Sequence, residues 1–293
     1  MNAQRLVFIV NPIAGGKNKE AFAGWIRDFF SKEAWQIDIH YTQAPGDATE
    51  LSRRAIEQPC RAVVAVGGDG TINEVAQALL GTPVPLGVVP FGSGNGLARH
   101  FGIPLRPKKA LALLKQGKTI CMDVGRINGK VFLCTTGIGF DAAVSERFAS
   151  YQARGFMTYV RSTLEVFATY RPEEVEIDWG EGRHAYSIFS ATVANISQYG
   201  NNAYIAPQAT ADDGYLDLCL LKPFPKWKMP LVGGALFVKK LPAFSFYEHR
   251  RVKQVTFYRK RAAVSHLDGE NVYEGNRLHV EIEPRALHLI VPR

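Results

Sequence analysis

The apolar positions of this chain change period about two-fifths of the way along. Up to about residue 120, short buried runs alternate with helical stripes. Arg5–Val10 reads as a first strand, and Phe22, Trp25, Ile26, Phe29 and Phe30 form one face of a helix. Trp35–Tyr41 is a second strand, with Ile37 and Ile39 alternating against polar neighbours. Asp47 to Glu50 has the spacing of a capping box at the head of the next helix. Arg61 to Val66 is nearly all apolar, three residues of it valine, as in a strand buried on both faces. It breaks at Gly67-Gly68-Asp69-Gly70-Thr71, after which Ile72, Val75, Ala76 and Leu79 recur at helical spacing. Pro85–Val89 and Pro107–Gln116 supply a fourth strand and another helix. This order predicts an open, mostly parallel α/β sheet.

Beyond Ile120 the strand pattern dominates. Runs at Met122–Ile127, Val131–Thr135, Val175–Trp179, Tyr186–Ile196, Tyr215–Leu221, Val252–Phe257, Ala262–His266 and Leu278–Ile282 predict an antiparallel β-sandwich. A helical segment from Val144 to Tyr170 interrupts them. Two domains are expected, 1–121 and 122–285, with Leu287–Val291 inside a last run, 286–293, that completes the first.

A strand, a glycine turn and a helix in that order aim backbone N–H groups at an anion, and the missing Cβ atoms let phosphate approach the main chain. Asp69 would repel phosphate unless a cation intervened, and Mg²⁺ is the usual one. The pattern alone leaves three readings: a tight turn, a dinucleotide site or a kinase site. Asn73 stands where a dinucleotide fingerprint needs its third glycine, and no Gly-Lys-Ser/Thr follows a glycine run, so neither a Rossmann nor a Walker loop is present. Asn11 to Gly16 and Phe91 to Gly96 are further glycine loops at strand ends, the second with Ser93 as an added hydroxyl.

Gly67 to Glu74, GGDGTINE, resembles the signature of the diacylglycerol kinase catalytic family, which also includes sphingosine and ceramide kinases. Asn11-Pro12 with Gly15-Gly16, Pro90 to Asn95, Gly139-Phe140-Asp141-Ala142 and Leu267-Asp268-Gly269-Glu270 continue the resemblance in the family's order. It implies a lipid kinase, with ATP on the first domain and lipid on the second. By motif, Asn11, Pro12, Gly15, Thr42, Gly67, Gly68, Asp69, Gly70, Thr71, Asn73, Glu74, Gly92, Ser93 and Asn95 would line the ATP site. Glu270 would accept the proton of the acceptor hydroxyl. Asp69 and Asp123 would hold Mg²⁺ with its waters, and Asp213, with backbone oxygens of Thr210 and Tyr215, a second, structural Mg²⁺. Asp141 and Phe140 would face the lipid. Read without the resemblance, Asp268-Gly269 is a hairpin turn, Asp213-Gly214 a turn, and the aromatics of 140–170 a core.

Diacylglycerol is the first acceptor expected, with phosphatidic acid, a phospholipid precursor, as product. A sphingoid-base or ceramide-type kinase is the alternative, favoured by serine at position 93. A non-catalytic lipid- or nucleotide-binding regulator is the alternative of another class, and the presence of Asp69 and Glu270 speaks against it.

Charge modifies this reading in one respect. Thirty-five Lys and Arg against 27 Asp and Glu leave a net charge of +8, which favours anionic partners. Peripheral contact with an anionic membrane is expected, nucleic acid is not, and a homodimer is compatible with the sequence. The four cysteines show no C-x-x-C and read as buried free thiols in a reducing compartment. No apolar run approaches the ~20 residues of a membrane helix. With no signal peptide apparent at the N-terminus, a cytoplasmic protein at the inner face of the membrane is expected.

Overall fold

The computed structural model describes residues 4–16, 20–31, 35–151 and 155–293. The chain divides into two compact units, Met1–Met122 with Arg285–Arg293, and Asp123–Pro284.

The first unit is built from β1 (Gln4–Val10), α1 (Glu20–Phe30), β2 (Trp35–Tyr41), α2 (Asp47–Ile56), β3 (Ala62–Gly67), α3 (Asp69–Leu79), β4 (Leu86–Pro90), α4 (Gly96–His100), α5 (Pro107–Gln116) and the start of β5 (Lys118–Ile127). Strands β2, β1, β3 and β4 pair in that order, all parallel. The end of the last strand of the chain, β16 (Arg277–Val291), adds beyond β4 in parallel, with Leu289 opposite Leu86. Leu6, Phe8, Val64 and Val66 pack with Ile26 and Phe30 of α1 and with Leu111 and Leu114 of α5. Burial of both strand faces is why Ala62–Gly67 carries no polar side chain. Because β1, β3 and β4 are parallel neighbours, their carboxyl-end loops emerge side by side.

The capping box is not formed. Asp47 is the first residue of α2, and Gly46 precedes it at φ 90° with no side-chain cap. The Asp47 carboxylate turns back to accept the amides of Gln43 and Ala44 at 2.7 and 2.9 Å. The amide of Ala48 donates instead to Glu74 of α3 at 3.1 Å, a cap borrowed from a neighbouring helix.

The second unit contains the end of β5, then β6 (Lys130–Phe132), β7 (Thr135–Gly139), α6 (Phe140–Ala149), α7 (Phe156–Thr169), β8 (Glu173–Asp178), β9 (Arg183–Ile188), β10 (Ser190–Ala194), β11 (Leu216–Leu221), α8 (Met229–Phe237), β12 (Tyr247–Val252), β13 (Gln254–Arg259), β14 (Val264–Leu267), β15 (Glu270–Tyr273) and most of β16. One antiparallel layer runs β16-β13-β8-β9, and the other β12-β11-β10-β7-β14-β15. Ile177, Val255, Phe257 and Val280 of the first layer share a core with Ile138, Val193, Leu218 and Leu220 of the second. That is the antiparallel sandwich the alternation predicts.

Two predicted strands need correction. The run Tyr186–Ile196 is two strands in different layers, β9 and β10. Phe189 lies between them, its amide on the Leu221 carbonyl at 2.6 Å. The run Val131–Thr135 is likewise split, with β6 ending at Phe132 and β7 starting at Thr135. Among the cysteines, Cys134 and Cys219 are buried and free, whereas Cys60 and Cys121 are only half-buried.

Candidate active site

In the first unit three loops close on one another. The amide of Asn11 donates to Val66 at 3.0 Å and that of Phe91 to Gly67 at 2.7 Å, which ties the loop after β3 to both neighbours. The Asn11 side-chain amide donates to the Thr71 hydroxyl at 3.1 Å. Gly15 sits at φ 68°, where a Cβ would lie 2.4 Å from the Phe91 carbonyl oxygen. A Cβ on Gly92 would come within 2.8 Å of the Gly68 Cα. Only glycine permits this approach of backbone to backbone, and the amides at the head of α3 gain the favourable end of its dipole.

Asp69 organises this cradle. Its Oδ2 accepts the amide of Asn95 and its Oδ1 that of Gly96, both at 2.9 Å. Asn95 adopts φ 50°, and its Nδ2 donates to the Gly92 carbonyl at 2.8 Å. The carboxylate of one glycine loop thus shapes the other. Thr42 joins at the end of β2, its amide on Val10 at 3.0 Å, and Pro12 and Ser93 are exposed on their loops. Asn73 is buried and accepts Gln77 at 2.7 Å, and Glu74 caps α2, so these two serve the scaffold. The partly exposed Asp69 carboxylate fits a Mg²⁺ that keeps its waters and takes one or two carboxylates plus phosphate oxygens. The buried Asn95 Oδ1, with no donor among the described residues, would suit such a water.

Asp123 takes a different part from the one expected. It is wholly buried in the second unit, where Oδ2 accepts the Gly214 amide at 2.7 Å. Its own amide donates to Ala211 at 2.6 Å, and its carbonyl accepts the Asn195 side chain. A carboxylate enclosed in this way anchors the 211–214 loop and does not present itself to a hydrated cation.

That loop does not fit a structural cation either. Oδ2 of Asp213 accepts both the Thr210 hydroxyl at 2.7 Å and Arg251 at 2.5 Å, and Oδ1 accepts the Tyr215 amide at 3.0 Å. A guanidinium already neutralises the single acid of the set, and a divalent ion would have to displace it.

Glu270 is exposed at the first position of β15. The hairpin before it has Asp268 at φ 50° and Gly269 at φ 86°, the two positive values of a type I′ turn. Asp268 is fixed by the amides of Leu133, Cys134 and Thr135 at 2.9, 2.7 and 3.0 Å. The turn is therefore part of the scaffold, and its aspartate sets the backbone that carries Glu270. At the other end of β15, the Tyr273 hydroxyl donates to Glu146 of α6.

Asp141 is buried at the head of α6. Its Oδ2 accepts the Thr192 hydroxyl at 2.6 Å and the Tyr199 hydroxyl at 3.0 Å, and meets His266 Nε2 at 3.2 Å. Burial, and then the charge of Asp141, push the Tyr199 hydroxyl well above the ordinary phenol range. Phe140 packs in an aromatic core against Phe189 and Tyr170, at 4.5 and 5.4 Å between centroids. Thr192, Tyr199 and His266 carry no motif in the sequence. Only the fold brings them to an aspartate as much as 125 positions away.

Residues 5–127 match the diacylglycerol kinase catalytic domain, and residues 134–291 match the YegS C-terminal NAD kinase beta sandwich-like domain. A relative from Pseudomonas syringae pv. syringae, named probable lipid kinase YegS-like, is 30% identical over 94% of this chain and 91% of its own. A protein of Mycobacterium tuberculosis named diacylglycerol kinase is also 30% identical, over 99% of this chain and 96% of its own. The solved structure of a diacylglycerol kinase from Bacillus anthracis str. Sterne superposes with a TM-score of 0.78. It is 20% identical and covers 99% of this chain and 98% of its own. With both halves matched in order, this chain belongs to the diacylglycerol kinase family as a lipid kinase of the YegS-like kind.

Proposed function

We propose that the acceptor is diacylglycerol and the product phosphatidic acid. One observation carries the choice. A sphingoid base brings an ammonium that needs a carboxylate partner once desolvated, whereas diacylglycerol is neutral. The carboxylates that follow Gly139, Asp141 and Glu146, are engaged: the first by a threonine, a tyrosine and a histidine, the second by Tyr273. An acceptor without charge asks nothing more of them.

Phosphoryl transfer depends on alignment and charge neutralisation more than on covalent help. The loops at Asn11–Gly15, Gly67–Thr71 and Gly92–Asn95 offer backbone amides and the head of α3 to the phosphates. Mg²⁺ accompanying ATP would be held at Asp69 and would offset the negative charge of the phosphate oxygens. Glu270 takes the proton of the acceptor hydroxyl as its oxygen bonds to the γ-phosphorus and the bond to the leaving ADP oxygen breaks. An alcohol is a weak acid, so this proton moves late, and the carboxylate contributes about 10²–10⁴ in rate. The enzyme works peripherally at the inner membrane face. No helix among the described residues is long and apolar enough to cross a membrane.

The test is a panel of diacylglycerol, monoacylglycerol, phosphatidylglycerol, sphinganine and ceramide in mixed micelles with labelled ATP and Mg²⁺. Phosphatidic acid is expected as the dominant product by mass. Faster formation of sphinganine phosphate would overturn the assignment.

A further inference from the structure

The helix α8 and the residues that flank it carry their apolar stripe on the outside. Pro230, Leu231, Gly234 and Phe237 recur at helical spacing on one face of α8. Trp227 in the short 3₁₀ turn ahead of it and Val238 just after it extend the stripe, and all are exposed. Trp227 is 70% exposed, Leu231 55%, Phe237 45% and Val238 63%. The inward face, Val232 and Ala235, already docks on the unit with Met229 and Leu236 around it. An apolar stripe with no place left in its own core is a surface for something else.

Charge indicates what that is. Lys226 and Lys228 stand at one end of the stripe and Lys239 and Lys240 at the other, and no acidic residue occurs between Asp217 and Glu248. Lys239 lies over the Tyr204 ring at 4.4 Å, and Lys228 over Trp227 at 5.4 Å, so both amines stay at the rim of the apolar surface. Nine residues of helix span only about 14 Å, too short to cross a bilayer but suited to lying in its interface. A second copy docked through the same face would oppose like charges, which disfavours it.

We infer that α8, with Leu231 on its outer face, Trp227 just ahead of it and lysines at both ends, is the element that seats the enzyme in an anionic lipid surface. The inference rests on the lipid-substrate reading and deepens it by naming the docking surface. Trp227 and Leu231 enter the acyl boundary, and the lysines remain among the headgroups.

The experiment floats the full chain with vesicles of phosphatidylcholine, alone or with about a third phosphatidylglycerol, without ATP. Trp227→Gln with Leu231→Gln should lower vesicle affinity at least roughly tenfold while leaving the melting temperature unchanged. Lys239→Glu with Lys240→Glu should lower it by about five-fold per lysine on anionic vesicles, and the difference should fade at high salt. Quenching of tryptophan emission by brominated lipid should disappear in Trp227→Phe. All these variants should phosphorylate a water-soluble short-chain diacylglycerol at the rate of the unmodified chain. Undiminished flotation of the Trp227→Gln, Leu231→Gln protein would overturn the inference. So would a vesicle-independent dimer that Leu231→Gln dissociates, which would assign the face to a second copy. Absence of product from any lipid, soluble or vesicular, would count against the acceptor assignment alone, because the flotation arm contains no ATP.

Discussion

Asp69 holds the backbone amide of Asn95 at 2.9 Å, so the acid of GGDGT fixes the loop that follows β4 as well as its own. The same carboxylate holds Gly96 through its other oxygen. Replacement by asparagine keeps one acceptor and turns the other into a donor facing an N–H. Asp69→Asn should therefore destabilise the unliganded protein by about 1–3 kcal/mol, in addition to impairing transfer. Denaturant unfolding without nucleotide measures this. A residue that only bound Mg²⁺ would leave that unfolding curve where it was.

Asp268 and Glu270 separate cleanly. Asp268 is bound by three backbone amides and should be a stability residue, with Asp268→Ala costing about 2–4 kcal/mol as buried donors lose their acceptor. Glu270 is exposed, and Glu270→Gln should leave the melting temperature within a degree or two of the unmodified chain. Turnover at saturating ATP and lipid should fall by about 10²–10⁴. Near-normal turnover in Glu270→Gln would place the base elsewhere.

The 210–215 loop gives a prediction about metal. Arg251 compensates Asp213, so a chelator should not shift the melting temperature of the unliganded protein. Both side chains of this pair are partly exposed, so Arg251→Ala should lower stability by no more than about 1 kcal/mol. That variant exposes Asp213 to solution and should acquire a melting response to Mg²⁺. A chelator-sensitive transition in the unmodified chain would show that a cation displaces the guanidinium.

The glycine loops were legible in the sequence because their chemistry is local. Gly15 and Gly92 are required by contacts one loop away, and a strand ending in glycine announces such contacts. The parallel and antiparallel layers were legible from the change in apolar period near residue 120. The role that the resemblance implies for Asp123 fails because an aspartate within a strand reads the same in sequence whether it faces a cation or a buried amide. Burial is decided by what packs over it, here Ala211 and Gly214. Asp47 to Glu50 has the letters of a capping box, but Glu74, a tertiary neighbour, occupies the cap. Tertiary competition of this kind leaves no local signature. The division between β9 and β10 at Phe189 was hidden for the same reason, since an unbroken apolar run conceals a change of sheet.

The last prediction concerns acid. Glu165 of α7 accepts the Tyr151 hydroxyl at 2.6 Å and the guanidinium groups of Arg161 and Arg147 at 2.8 and 2.7 Å. These donors, with Tyr151 first, hold its carboxyl well below the usual carboxylate range of 4.5, down to about 2. Because the folded value is depressed, the contribution is complete above pH 4.5 and is lost as the pH falls through about 2. Arg147 belongs to α6, so what weakens is the tie between α6 and α7. The cluster is at the surface and its effect should be modest and salt-sensitive. Melting temperatures of the unmodified chain and of Glu165→Gln should differ most above pH 4.5 and converge toward pH 2, with a smaller gap throughout in high salt. A gap that persists unchanged at pH 2 would mean that Glu165 acts through packing and not through its charge.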